Sequence, residues 1–159
     1  MEFTDSILQI FSFQMLIAAE VKQLLFATFA GLLIGTERGL AGKSASYRTF
    51  AIITIGSCVY TLLSVQGAND IANTNIHYDV TRIAAQIVTG IGFVGAGVIF
   101  KIGDKIEGVT TAAMIWLAAS VGMACGFNKI GMVCTIMIIF CCLEFALFLS
   151  RRIAKKRRG

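Results

Sequence analysis

The sequence predicts an all-α membrane protein: a bundle of five transmembrane helices, with the amino terminus outside and the carboxy terminus in the cytoplasm. Three observations carry that prediction. Of 159 residues, 57% are hydrophobic and only 14% charged, with 16 glycines, no proline and a mean hydropathy of +0.80. A soluble domain is about a quarter charged, and a chain this apolar has too few polar groups to cover its own surface. That excludes a soluble enzyme and a disordered chain. Second, runs long enough to cross a hydrocarbon core of about 30 Å, roughly 20 residues each, occur five times. Third, the basic residues are segregated to one side of those runs.

The first run, 15–35, carries Glu20 and Lys22 in its first two turns. The stretch before it, 3–13, holds Ile7, Leu8, Ile10, Phe11 and Phe13, and reads either as an interfacial helix or as an extension of the span. Its start is acidic, with Glu2 and Asp5, and lacks the basic leading region and small-residue cleavage site of a secretory signal. The second run is 49–65, and the long loop after it, 66–81, holds Asn69, Asp70, Asn73, Asn75, His77 and Asp79. The third, fourth and fifth runs are 83–100, 109–127 and 131–149, followed by a basic tail at 151–159. The connections are short, so residues 1–150 form a single polytopic domain.

Orientation follows from Lys and Arg, because positive loops stay cytoplasmic. Eleven of the fourteen basic residues lie in 36–48 (Arg38, Lys43, Arg48), in 101–108 (Lys101, Lys105) and in the tail (Arg151, Arg152, Lys155, Lys156, Arg157, Arg158). The net charge of +5 is therefore a tail and not a groove, and no nucleic-acid partner is expected. The partner it implies is the bilayer, since six cations just inside a membrane suit anionic lipid. Cys58, Cys125, Cys134, Cys141 and Cys142 all fall in apolar runs without the paired spacing of a zinc site, and read as packing residues.

Gly90, Gly92 and Gly95 match the dinucleotide G-x-G-x-x-G pattern, but they lie within one apolar span, without the strand, turn and acidic residue that the fingerprint requires. They read instead as a packing face: Gly92 and Ala96 form a small-xxx-small pair flanked by Gly95 and Gly97, and Gly31, Gly35 and Gly39 repeat the device around the end of the first span. A backbone-lined ion path is the alternative. The packing serves one chain or two copies in a homodimer, which spacing does not separate.

Several polar residues are candidates for function. Asp79 is placed as an N-cap for the third span. Arg82 then pairs with Asp79 or reaches inward to a carboxylate on another span, and Gln86, Thr89 and Gly90 extend a polar strip down the same helix. Glu144 lies inside the fifth span, where an acid costs about 2.5–3.5 kcal/mol that the apolar neighbours offset. It forms either an interfacial salt bridge with Arg151 and Arg152 or a functional intramembrane charge. Glu37 and Arg38 close the first span. Thr110 and Thr111 open the fourth, where hydroxyls cap a helix or bond across helices. Asn73, Asn75, His77 and Asp79 alternate as a cation site would, without an EF-hand's glycine and final glutamate. No catalytic triad, paired catalytic carboxylates or phosphate loop stands in a workable context, so neither an enzyme nor a cofactor or bound metal is expected.

Four stretches, LIGTERGLAGK at 33–43, YRTF at 47–50, DVTRIAAQIVTGIGFVGAGVIF at 79–100 and GVTTAAMIWLAA at 108–119, resemble the MgtC/SapB family of bacterial inner-membrane proteins. The resemblance covers roughly residues 20–130. It implies a multi-pass protein of the cytoplasmic membrane, associated in some members with growth in scarce magnesium, acid stress and survival inside host phagocytes, and acting as a regulator of other membrane proteins, the ATP synthase among them. The chain looks like the short, SapB-like form, without the cytoplasmic carboxy-terminal domain of longer members. Val80 stands where the family usually has proline, and Thr36 where an apolar residue is common. The motif positions carried across are Glu37, Arg38, Arg48, Asp79, Arg82, Gln86, Thr110 and Thr111. From a different class, a small Mg2+ or H+ transporter would use Asp79, Arg82, Gln86 and Glu144 as a buried relay.

Overall fold

The computed structural model describes residues 2–40, 42, 47–70 and 79–156. Asn73, Asn75 and His77 of the suggested cation site, and Lys43, Arg157 and Arg158 of the basic clusters, lie outside the described residues. The chain is mostly helical: α1 (Glu2–Leu40), α2 (Tyr47–Asp70), α3 (Thr81–Gly97), a hairpin of β1 (Phe100–Ile102) and β2 (Lys105–Glu107), α4 (Val109–Gly126) and α5 (Ile130–Lys156). The stretch 3–13 continues α1.

Four of these helices, α1, α2, α4 and α5, are long and apolar enough to cross a membrane. The third expected span differs. Instead of running to Phe100, α3 stops at Gly97 after 17 residues, about 25 Å of rise, just under the thickness of a hydrocarbon core. The glycine-rich run Gly95-Ala96-Gly97 weakens the helix there, and the N–H groups of Val98 and Ile99 turn back on the carbonyls of Gly95 and Ala96. The expected loop 101–108 is an antiparallel hairpin in the register Phe100 to Glu107. Its two-residue turn has Gly103 at φ 59°, the first central glycine that a type II′ turn requires. At the hairpin's exit, Gly108 has φ 89°, and a Cβ there would press on the Val98 carbonyl. Only glycine lets the chain return across the end of α3 and start α4.

α4 is the centre of the bundle. It touches all four other helices, half of its spanning window is buried against 11% for α5, and it is apolar all round as an enclosed helix is. Its C-terminus closes in a Schellman motif: Asn128 takes the left-handed conformation, Lys129 N–H donates to Ala124 and Asn128 N–H to Cys125. Gln23 of α1 donates to the last carbonyl of α4, Gly126, at 3.4 Å. The tight turn launches α5 beside α4, with Val133 and Phe140 as its buried contacts.

The closest helix approaches lie among α1, α2 and α4. A Cβ on Gly31 would sit 2.7 Å from Ala51 Cα, one on Gly35 2.8 Å from Tyr47 N, one on Gly122 2.8 Å from Ser57 Cβ, and one on Gly126 2.8 Å from the Cys58 carbonyl. On α3, where close packing was also expected, Gly95 makes only ordinary contact with Ala112, at 3.7 Å, and Gly90, Gly92 and Gly97 meet nothing within 4 Å. The outward face of α3 is thus open. Gly122→Val is expected to push α2 from α4 and to destabilise by about 1–3 kcal/mol, the cost of overpacking, whereas Gly92→Ala should leave stability unchanged or slightly raised. Thermal unfolding in detergent measures both.

Candidate functional site

Short connections alternate the helix directions, so the polar residues collect at two opposite ends of the bundle. At the hairpin end, the last turns of α1 supply Glu37 and Arg38 and the first turn of α4 supplies Thr110 and Thr111. The Arg38 guanidinium donates through Nε and Nη2 to both oxygens of the Glu37 carboxylate, a fork geometry that holds its plane. Arg38 is only 5% exposed. Together with Glu107, Gly108, Thr110 and Thr111 it lines a cavity of about 220 Å³. The motif residues from the first and fourth spans, some seventy positions apart in the sequence, therefore meet. Arg48, in the first turn of α2, is exposed and stands apart from this cavity.

Glu144 lies half-buried in a separate groove of about 570 Å³ between α1 and α5, which it shares with Glu37, Thr36 and Phe148. Arg152 stacks over the Phe148 ring at 5.0 Å from its centroid, covering apolar surface with a cation at the membrane boundary. The groove brings Glu144 to the same end as Glu37, not to Asp79.

At the opposite end the loop enters α3. The Asp79 carboxylate accepts the Thr81 N–H at 2.9 Å and the Thr81 hydroxyl at 2.6 Å, and the Asp79 carbonyl accepts the Arg82 N–H at 3.2 Å. The carboxylate thus holds the first helical residue from one position before the cap, which is Val80. The Thr81 hydroxyl and N–H, with the Arg82 charge behind them, hold the Asp79 carboxyl below its usual range. Arg82 and Gln86 are exposed, and Gln86 borders an apolar groove of about 560 Å³ between α2 and α3. Ser64 of α2 donates to the Val80 carbonyl at 2.8 Å, and Gln66 of α2 bonds Glu20 of α1, tying this end together.

Sequence reasoning missed the polar line of α2. Thr54, Ser57, Thr61 and Ser64 are all buried, at the i, i+3, i+7, i+10 spacing of one helix face. Thr54 donates to Phe50 and Ala51, and Thr61 to Ser57, so these hydroxyls are satisfied within their own helix. Their partners across the interface are Gly31, Gly122 and Gly126. The spacing of the hydroxyls, and the Gly122-xxx-Gly126 pair, were the signals available. Cys58 and Cys125 are buried in the same region, and Cys134, Cys141 and Cys142 lie exposed on α5, all free. Among the described residues no three His, Cys, Asp or Glu side chains cluster as metal ligands.

Long apolar helices, with the charged groups gathered at the two ends, define a multi-pass α-helical membrane protein. The chain belongs to the MgtC family, whose family model matches residues 24–155. It is 39% identical over 135 residues to the protein SapB of Bacillus subtilis, covering 82% of this chain and 58% of SapB. It is 37% identical over 134 residues to MgtC of Salmonella typhimurium LT2, covering 84% and 54%. It is 42% identical over 107 residues to YhiD of Escherichia coli K12, whose name proposes a magnesium transporter, covering 67% and 50%. The chain spans about half the length of the curated relatives it matches. No solved structure matches it.

The bonds to Asp79 set a pH signature. A carboxyl held low in the folded state stabilises α3's start above the unfolded value, and that contribution is lost as pH falls through the lower, folded value. The Thr81 amide resonance is therefore expected to titrate with a midpoint below the ordinary carboxylate value of 3.8, and to lose that step in Asp79→Asn. NMR of the labelled protein in detergent reads both, and a midpoint at or above 3.8 would contradict the assignment.

Proposed function

We propose that this is a protein of the bacterial cytoplasmic membrane, amino terminus outside and hairpin end in the cytoplasm, that acts without enzymatic chemistry as a regulator of other membrane proteins during adaptation to magnesium limitation or acid stress. Membership of the MgtC family and the likeness to MgtC and SapB support the setting. The orientation rests on the bias of Lys and Arg toward the hairpin end, and α3 is taken as the fifth crossing. The single observation that carries contact over transport is the packing between the two polar ends. There Gly31, Gly122 and Gly126 bring helix backbones against the hydroxyl line of α2, which leaves no room for a path along the α1–α2–α4 contact.

The same reading accounts for the outer surface. α3 and α5 carry large exposed apolar side chains, Phe93 at 84% and Phe145 at 68% among them, beside open glycines. Such faces are available to helices of a partner, the ATP synthase by family resemblance, or of a second copy. The second reading, a small Mg2+ or H+ transporter, is favoured by the name of the E. coli relative and by the exposed Arg82 and Gln86 at one end.

Ion flux separates them. Proteoliposomes of the purified, oriented protein are expected to move neither magnesium nor protons above the rate of empty vesicles. Flux that Arg82→Ala or Glu144→Gln removes, with insertion intact, would establish the transporter and make regulation an indirect effect.

A further inference from the structure

We propose that the cavity at the start of α4 is a binding site for a phosphate-bearing anion. Three sets of donors converge there. The N-cap of α4, Gly108, makes no side-chain capping bond, and among the described residues no backbone acceptor from elsewhere reaches the N–H groups of Val109, Thr110 or Thr111. The positive end of an eighteen-residue helix is thus open to the cavity.

The second set is the Thr111 hydroxyl. Thr111 is only 4% exposed and lines the cavity, yet it has no hydrogen bond to the described protein. No buried side-chain oxygen or nitrogen among the described residues is left both sealed and unpaired, so this hydroxyl keeps its access through the cavity itself. A hydroxyl that reaches the cavity and holds no partner within the described protein is free to donate to a ligand oxygen.

The third is Arg38. Two of its five N–H donors hold Glu37, three remain, and the residue lines the cavity with Thr110 and Thr111. The pairing with Glu37 orients the fork in advance, which suits a planar donor for tetrahedral oxyanions. Glu107 also borders the cavity, on an exposed strand from which its carboxylate can turn to water. Helix N–H groups, a guanidinium and hydroxyls are donors that suit an anion, and a cavity of about 220 Å³ is several times the roughly 30 Å³ share of one water. The phosphate is either free or part of a lipid headgroup. The two sources share this chemistry and differ only in what lies beyond it.

The site is independent of the regulatory reading, which survives its failure. The test uses the full chain in phosphatidylcholine nanodiscs, titrated with inorganic phosphate at constant ionic strength, and the same chain in nanodiscs containing phosphatidic acid, with thermal stability as the readout. Stabilisation by inorganic phosphate identifies the free anion as ligand, and stabilisation by phosphatidic acid alone identifies the lipid headgroup. In either case Thr111→Val, which removes only the hydroxyl at nearly constant volume, is expected to weaken the effect about tenfold, the value of one hydrogen bond to a charged group. Arg38→Gln should weaken it further. If Arg38→Gln does not fold, Thr111→Val decides alone. Stability indifferent to both probes, or a response as large in Thr111→Val as in wild type, would overturn the proposal.

Discussion

The bundle depends on the contact between helix backbones where α2 crosses α1 and α4. In a bilayer the lipid tails are as apolar as the helices, so burying leucine supplies little net attraction, and association rests on close packing and interhelical hydrogen bonds. This chain meets that constraint by omitting side chains. Gly31 and Gly35 on α1, and Gly122 and Gly126 on α4, let both helices close onto the line Thr54, Ser57, Thr61, Ser64 of α2. The short hydroxyls fill the space without width, and most return their protons to carbonyls of their own helix or to the start of α3. The packing is tight because nothing larger than a hydroxyl stands in it.

Everything else is arranged around that contact. With α1, α2 and α4 locked, α3 and α5 lie against α4 as outer helices, and their far faces are left to lipid or to partners. The charged residues are driven to the ends, where water or headgroups meet them. At one end Asp79 holds the first residue of α3. At the other, Gly108 folds the hairpin back so that the open start of α4 lies beside Arg38. One chain-reversal thereby creates both the central helix and the cavity at its mouth.

The five helices were legible in the sequence because hydrophobic length is a property of single segments. Glu37, Arg38, Thr110 and Thr111 were legible as candidates through motif resemblance, but not as neighbours: their meeting depends on the crossing of α1 over α4, which no local pattern encodes. The end of α3 was misplaced by three residues, since Val98, Ile99 and Phe100 are as apolar as a helix continuation, and only the glycines on either side, at 97 and 108, divert the chain. The small-residue pattern, read as a device for close approach, occurs three times. At Gly31 and Gly35 a partner fills it, at Gly122 and Gly126 it went unread, and at Gly92 it opens outward. A pattern of small residues records a capacity for contact, while the fold decides which instances are used.

The central claim, that the interior between the two polar ends is packed and dry, is tested most directly by the chain's own cysteines. Cys58 and Cys125 lie fully buried along the α2–α4 contact. A water-soluble methanethiosulfonate applied to both faces of the protein in liposomes should leave these two thiols unmodified by peptide mass spectrometry, and label them only after denaturation. Labelling of either thiol in the intact bilayer would reveal a water path through the bundle and contradict the account.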